Sequence, residues 1–202
     1  VDQLAFTALL FLTRTTFVEA LGGTRAARMR GDAMRVLSSL LPQIPGDAPS
    51  GARGLYVAIC YLAAIHRALP ERTAADNAGL VTQALRRVAR WIPGPVIRLR
   101  RWLWFQPWYN RRLAASIVGP GPDGFVGDYL PAPNGFGVNY HRCGLQIFLA
   151  RVGIPEIGPL VCGFDQLESE IFGLGLVRTG TIAQGAKVCD FRWTRPDDGG
   201  RR

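Results

Sequence analysis

Residues 136–193 read FGVNYHRCGLQIFLARVGIPEIGPLVCGFDQLESEIFGLGLVRTGTIAQGAKVCDFRW, and the changes of periodicity along this stretch decide the fold. A short strand runs up to Tyr140. From about His141 to Val152, Leu145, Phe148, Leu149 and Val152 recur at helical intervals, and Gly153 and Pro155 end the helix. A second helix, about Glu156 to Phe172, places Leu160, Phe164, Leu167 and Ile171 on one side. Cys162, Asp165 and Ser169 fall on another, a polar face suited to a pocket wall. The period then drops to two. Leu174 to Ala183 is rich in β-formers, Gln184 to Lys187 makes a turn and Val188 to Trp193 is extended again, which predicts an antiparallel hairpin. Alternation puts Val177, Thr179 and Thr181 on one face of it and Leu176, Arg178 and Ile182 on the other. In the return strand Val188, Asp190 and Arg192 oppose Cys189, Phe191 and Trp193.

Upstream, residues 119–137 hold four prolines and six glycines, which predicts a long loop of the kind that serves as a lid. Residues 1–118 are mainly helical. Apolar residues recur every three to four positions from residue 3 to 41, with a break at Gly22 and Gly23 and a stop at Pro42 and Pro45. A turn-rich linker spans Gly46 to Gly54, and an apolar helix covers Leu55 to Leu69 and ends at Pro70. Another helix covers Thr73 to Trp91, and Pro93, Gly94 and Pro95 interrupt the chain after it. The tail from Arg195 to Arg202 reads as frayed. The expected architecture is a single α+β domain over 1–202, helical in its amino-terminal half, with a carboxy-terminal antiparallel sheet whose hairpin packs on helices. A length of 202 residues, 48% hydrophobic and 19% charged, fits that size and excludes disorder, collagen and coiled coil.

The net charge of +9 is concentrated in one place. Residues 81–112 carry Arg86, Arg87, Arg90, Arg98, Arg100, Arg101, Arg111 and Arg112 with no Asp or Glu, interleaved with Trp91, Trp102, Trp104, Phe105, Trp108 and Tyr109. Such a stretch suits phosphates, stacked bases or a lipid headgroup layer. It equally suits tryptophans anchored in a core or subunit interface beneath solvated arginines, which leaves a homo-oligomer open. No DNA- or RNA-binding motif accompanies it, so nucleic acid is not an expected partner. The longest apolar runs, Leu4 to Leu12 and Leu55 to Ile65, fall short of the roughly 20 residues a bilayer span requires. The amino end lacks the basic flank and cleavage site of a secretory signal. Cys60, Cys143, Cys162 and Cys189 lie far apart without a CxxC pair, which suits reduced thiols and a cytoplasmic location.

Four motifs stand out: Cys143 opening a helix, the Gly-x-Pro-Glu turn from Gly153 to Glu156, the pair Cys162-x-x-Asp165, and the hairpin Arg178-Thr179-x-Thr181-Ile182 followed by Gly185 and Cys189-Asp190-Phe191-Arg192. Together they resemble the L-2-amino-thiazoline-4-carboxylic acid hydrolase family over residues 136–193. The resemblance implies a small α+β domain acting on a small-molecule substrate, with water opening a cyclic isothiourea and no organic cofactor. In the family an aromatic and an acidic residue often follow the helix cysteine, and a polar residue often separates the two hairpin threonines. Leu145, Ile147 and Gly180 stand there instead. The hairpin ending is also similar to that of vinyl-reductase type small-molecule-binding domains.

The chemistry can be reasoned from the residue types themselves. Attack on an amidine-like carbon is easier when its nitrogen is protonated, and a thiolate serves as nucleophile when its pKa is lowered. Cys143, at a helix amino terminus with His141 and Arg142 adjacent, is placed to gain thiolate character from the helix dipole and a positive neighbour. Cys162 and Asp165 share a helix face and can present a thiol and a carboxylate to one cavity. Arg178 and Arg192 can each hold a carboxylate bidentately, Asp190 can pair with either, and Thr179 and Thr181 offer hydroxyls from a strand. The candidate set is Cys143, Cys162, Asp165, Cys189 and Asp190 for catalysis, with Tyr140, His141, Arg178, Thr179, Thr181 and Arg192 for substrate binding. Cys143, Cys162, Cys189 and His141 lack zinc-site spacing, so no metal is expected. His66 reads as a core histidine. Hydrolysis of a carbon–nitrogen bond in a cyclic amidine-like ring is the leading expectation. The alternatives are cyclisation or isomerisation of a hydrophobic biosynthetic intermediate in the same pocket, and a small-molecule or anionic-surface binding module without catalysis.

Overall fold

The computed structural model describes residues 2–119, 121 and 123–196; most of the carboxy-terminal tail read as frayed, residues 197–202, lies outside them. The amino-terminal half consists of α1 (Asp2–Leu12), α2 (Arg14–Leu21), α3 (Gly23–Leu40), α4 (Ser50–Arg67), α5 (Ala74–Ala89), α6 (Gly94–Trp104) and α7 (Pro107–Ile117). The break at Gly22 is where the backbone takes a φ of 79°. A second bend, of 59°, separates α1 from α2 at Thr13, whose hydroxyl donates back to the Leu9 carbonyl at 2.6 Å. Thr73 caps α5 by accepting the Asp76 amide at 3.1 Å. Pro95 and Pro107 open helices, because the first helical turn needs no N–H donor there. α4 begins at Ser50, inside the expected linker. Its Gly51 lets the helix pass against Ser116 of α7, where a Cβ would overlap the hydroxyl.

Phe6, Leu10 and Phe17 from α1 and α2 are buried against Met29, Ala33 and Leu37 of α3 and Ile59, Cys60 and Ala63 of α4. Phe6 stacks on Tyr61 with ring centres 4.6 Å apart. His66 is a satisfied interior histidine: Nε2 meets Glu156 at 3.2 Å and Nδ1 meets Asn77 at 3.0 Å. No single helix among the described residues is long and apolar enough to cross a membrane.

The carboxy-terminal half adds β1 (Val126–Ala132), β2 (Gly135–Arg142), α8 (Gly144–Arg151), α9 (Gly158–Phe172), β3 (Leu176–Val177) and β4 (Cys189–Thr194). The four strands form one antiparallel sheet in the order β1-β2-β4-β3. Two expectations are corrected here. The Gly/Pro-rich stretch 119–137 is not one loop, because its second half is the β1–β2 hairpin, turning at Pro133 and Asn134. Pro131 is tolerated because β1 is an edge strand. The outgoing strand of the last hairpin is only two residues long, and the chain leaves the sheet at Arg178 before a 3-10 turn at Ile182–Gln184. The Asp190 side chain accepts the backbone amides of Thr179, at 3.0 Å, and Gly180, at 2.9 Å, so those amides do not continue a ladder.

The inner face of the sheet is set by register. Phe136 lies opposite Trp193, Val138 opposite Phe191, and Tyr140 opposite Cys189. Between α9 and β3 the chain turns through Gly173 and Gly175, with φ of 64° and 61°, and a Cβ on Gly175 would overlap the Thr194 carbonyl oxygen. Replacing Gly175 with Ala is therefore expected to destabilise the fold by more than about 1 kcal/mol, measured as a shift of the denaturation midpoint, with an effect of a few tenths contradicting this reading of the turn.

Candidate active site

Between the inner sheet face and helices α4, α6, α7 and α9 lies a cavity of about 580 Å³. Its wall is mostly apolar and aromatic, with Leu62, Ile65, Leu113, Phe136, Val138, Phe164, Phe191 and Trp193 among the lining residues. Five of the expected site residues stand in that wall: Tyr140 from β2, Cys143 at the start of α8, Cys162 and Asp165 from α9, and Cys189 from β4. Strand alternation aims Tyr140 and Cys189 inward, and the helical spacing of three keeps Cys162 and Asp165 on one face. Gly144 brings the start of α8 hard against Tyr56 and Asp123, where any side chain would overlap the Tyr56 hydroxyl. That hydroxyl donates to the Asp123 carbonyl at 2.7 Å, and the contact seats Cys143 on the cavity wall.

The electrostatics of the five follow from their burial. Cys143 is pushed up to about 12 by burial, which outweighs the Gln146 and Leu145 backbone amides pointing at its sulfur. Cys162 and Cys189 are raised for the same first reason. The nearby Asp165 adds to the rise at Cys162, while the Ile182 amide, donating to the Cys189 sulfur at 3.2 Å, opposes it there. Burial also raises Tyr140, and the charges of Asp165, Cys143 and Cys189 act on it in the same direction. Cys143, Cys162 and Cys189 are all outside disulfides. Around neutral pH the group is thus three thiols and a phenol, all protonated, beside one carboxyl.

That carboxyl is Asp165, raised to about 6 by burial, with Arg178 pulling the other way and the charge of Glu168 on the same helix adding to the rise. Its side chain keeps 41% of its surface accessible, and because it lines the cavity this surface is consistent with a position deep among protein atoms. Arg178, 14% accessible, donates to the Asp165 carboxylate at 3.1 Å and to the Cys162 carbonyl at 2.9 Å, with its guanidinium 5.0 Å from the centre of the Phe191 ring.

The remaining predicted residues do not line the cavity. Asp190, His141 and Arg192 lie on the other side of the alternation from Cys189, Tyr140 and Phe191. His141 meets Asp128 at 2.8 Å, and Arg192 donates to Asn139 at 2.8 Å. Asp190 clasps the loop after β3, accepting from the Thr179 hydroxyl at 2.6 Å besides the two amides. Its carboxyl is held below the usual carboxylate range by those bonds, the Thr179 hydroxyl first. Thr181 is fully buried behind Cys162 and donates to Gln184 at 3.0 Å. Nor do the expected activators reach Cys143. His141 is turned to Asp128, and Arg142 donates to the Gly124 and Gly121 carbonyls at 2.9 and 2.7 Å. The expected thiolate character of Cys143 is corrected accordingly. Burial outweighs the helix terminus, and the thiol stays neutral.

Sequence reasoning missed three further lining residues. Arg100 lies 4.5 Å over the Trp104 ring and donates to Glu168 at 2.8 Å, and all three residues line the cavity. The available signal was spacing. Arg100 and Trp104 are four apart on α6, and Glu168 follows Asp165 by one helical step on α9. Among the described residues, no group of three His, Cys, Asp or Glu side chains is placed to hold a metal ion.

Two measurements test this geometry. Because the folded Asp165 binds its proton more tightly than the unfolded chain does, stability falls as pH rises from about 4 to about 6 and is level above that. Relative to Asp165→Asn, the wild-type denaturation midpoint should decline over that window and run parallel outside it; parallel curves throughout would remove the raised pKa. Asp190→Ala should speed amide hydrogen exchange at Thr179 and Gly180 roughly tenfold or more, leaving exchange in α4 unchanged. Unaltered exchange at both amides would show that the carboxylate does not hold the loop.

None of the curated proteins and none of the solved structures matches the chain. The region that carries all five cavity groups does match a known family: residues 104–193, just under half of the chain, fit the family model described as L-2-amino-thiazoline-4-carboxylic acid hydrolase.

Proposed function

We propose that the protein is a small-molecule enzyme that opens a cyclic amidine-like ring by adding water and breaking a carbon–nitrogen bond, and that the cavity is its active site. One observation carries this reading. A carboxyl with a pKa of about 6 shares the wall of an apolar cavity with neutral hydrogen-bond donors, inside the stretch that fits the hydrolase family. A base is most effective when its pKa lies near the working pH.

In this reading Asp165, ionised above pH 6, takes a proton from water as the oxygen attacks the ring carbon, and the same proton is delivered to the departing ring nitrogen. Tyr140 and Cys143, both protonated, donate hydrogen bonds to the nitrogen atoms of the ring. Cys162 and Cys189 complete the polar end, either thiol within reach of a covalent role if Asp165 accepts its proton. Arg178 is a positioning residue. It holds the Asp165 carboxylate toward the cavity and keeps its pKa from rising further. Asp190, with Thr179 and Thr181, secures the loop from which Arg178 reaches in.

A second reading rests on the size and lining of the same cavity. At about 580 Å³, with aromatic rings from Phe136, Phe164, Phe191 and Trp193, it has the dimensions of a site for a drug-sized apolar ligand. That supports cyclisation or isomerisation of a hydrophobic intermediate, with Asp165 and a thiol exchanging protons with the substrate.

The test is turnover in heavy-oxygen water of L-2-amino-thiazoline-4-carboxylic acid and of aryl-substituted cyclic amidines, with products read by mass spectrometry. Hydrolysis places one solvent oxygen in the product, and product without it favours the second reading. Asp165→Asn should lower kcat by roughly a hundredfold or more and abolish a rise in rate through pH 6. Full turnover in Asp165→Asn and in each single Ser replacement of Cys143, Cys162 and Cys189 would remove the cavity as the site of chemistry.

A further inference from the structure

Helix α6 presents two faces of different character. Inward, Arg100 and Trp104 line the cavity. Outward, Val96, Leu99 and Trp102 follow one another at intervals of three as an uncovered apolar stripe, and Trp91 before the helix and Trp108 after it are also exposed. Trp91, Trp102 and Trp108 keep 84, 55 and 61% of their surface accessible. Tryptophan is highly buried on average, so three exposed within eighteen residues call for a partner.

The charge around them says which partner. Arg90, Arg98 and Arg112, each within four positions of one of these tryptophans, are exposed, and residues 81–112 contain no Asp or Glu. Arg86, Arg87 and Arg100 are engaged with Glu170, Glu19 and Glu168, but Arg90, Arg98 and Arg112 form no ion pair among the described residues. A second copy of the chain is a poor occupant, because a two-fold interface would set this arginine-rich surface against itself and oppose the unpaired Arg90, Arg98 and Arg112 with like charges. A nucleic acid would stack on the tryptophans but would leave the aliphatic Val96 and Leu99 facing phosphates. An anionic bilayer satisfies all three components. Aliphatic side chains enter the acyl boundary, tryptophan sits at headgroup depth and arginine meets lipid phosphate.

We propose that the α6 face, with its flanking tryptophans, attaches the protein peripherally to an anionic lipid bilayer. Arg100 and Trp104 on the reverse of the same helix place the cavity next to that surface. The attachment is measured without turnover, so it stands or falls apart from the hydrolase reading.

The experiment is co-sedimentation of the full chain with vesicles of phosphatidylcholine alone or with about one third phosphatidylglycerol, at about 50 and about 500 mM NaCl, with tryptophan emission recorded in parallel. The expected result is binding to the phosphatidylglycerol vesicles roughly tenfold or more tighter than to phosphatidylcholine, weakened by salt, with a blue shift of emission. Arg98→Gln combined with Arg112→Gln should weaken binding roughly tenfold or more. Trp102→Ser should reduce both binding and the blue shift, while each variant keeps the wild-type melting curve. Absence of binding at low salt, equal binding to the two vesicle types, or wild-type binding by the variants overturns the proposal. So does tighter association with single-stranded DNA, or light scattering that shows a dimer lost in Trp102→Ser.

Discussion

The register between β2 and β4 is the constraint on which the site depends. Pairing Phe136 with Trp193, Val138 with Phe191 and Tyr140 with Cys189 turns two aromatic rungs, a phenol and a thiol toward the helices. The alternate positions, Gly137 with Arg192 and Asn139 with Asp190, turn the other way. A slip of β4 by one residue would send Cys189 to the outer face and bring Asp190 and Arg192 to the cavity. Stacked rings resist that slip. Phe136 and Trp193 lie 4.8 Å apart and Phe191 and Trp193 5.3 Å apart, each pair contributing about 0.5–1.5 kcal/mol beyond the area it buries. Gly137 lets Arg192 fold across the outer face toward Asn139, since a Cβ there would crowd the arginine side chain.

Much of this was legible in the residues, and what was not has identifiable physical causes. The helical half, the breaks at Gly22 and Pro42, the helix opened by Cys143 and the last strand all follow from periodicity and punctuation. Alternation had already set Asp190 and Arg192 opposite Cys189 and Phe191, so a candidate list drawing on both faces exceeded what one cavity can collect. The loop expected over 119–137 failed because proline and glycine counts carry no information about which strand is an edge. The two-residue length of β3 depends on a carboxylate eleven positions later in the chain, a tertiary bond that local propensity does not register. Trp104 and Trp102 are equivalent in composition. Only packing separates the one on the cavity wall from the one on the surface.

The polar end of the cavity shows how burial sorts groups that look alike on paper. A cysteine at a helix terminus is usually read as a thiolate, but a cavity walled by apolar side chains penalises any new charge, and here that penalty is larger than the help from two backbone amides. The same penalty, partly offset by Arg178, brings Asp165 into the range where a carboxyl exchanges protons near neutrality. Arg178 therefore sets the protonation of a cavity carboxyl without lining the cavity. Asp190 holds Thr179 and Gly180, which follow Arg178 in the chain, and so the conspicuous Arg-Thr-x-Thr and Cys-Asp-Phe-Arg segments contribute one wall residue, Cys189, together with a loop clasped by a carboxylate.

The central claim is that Tyr140, Cys143, Cys162, Asp165 and Cys189 face one cavity, largely apolar, between the sheet and the helices. Diffraction from crystals pressurised with xenon tests it most directly, since xenon occupies apolar cavities that side chains leave open. The account predicts xenon density among Leu62, Val138 and Phe191, with the sulfur of Cys189 and the carboxyl of Asp165 on the wall of the same space. Density confined to the surface, with side chains filling the interior between β4 and α9, would contradict it.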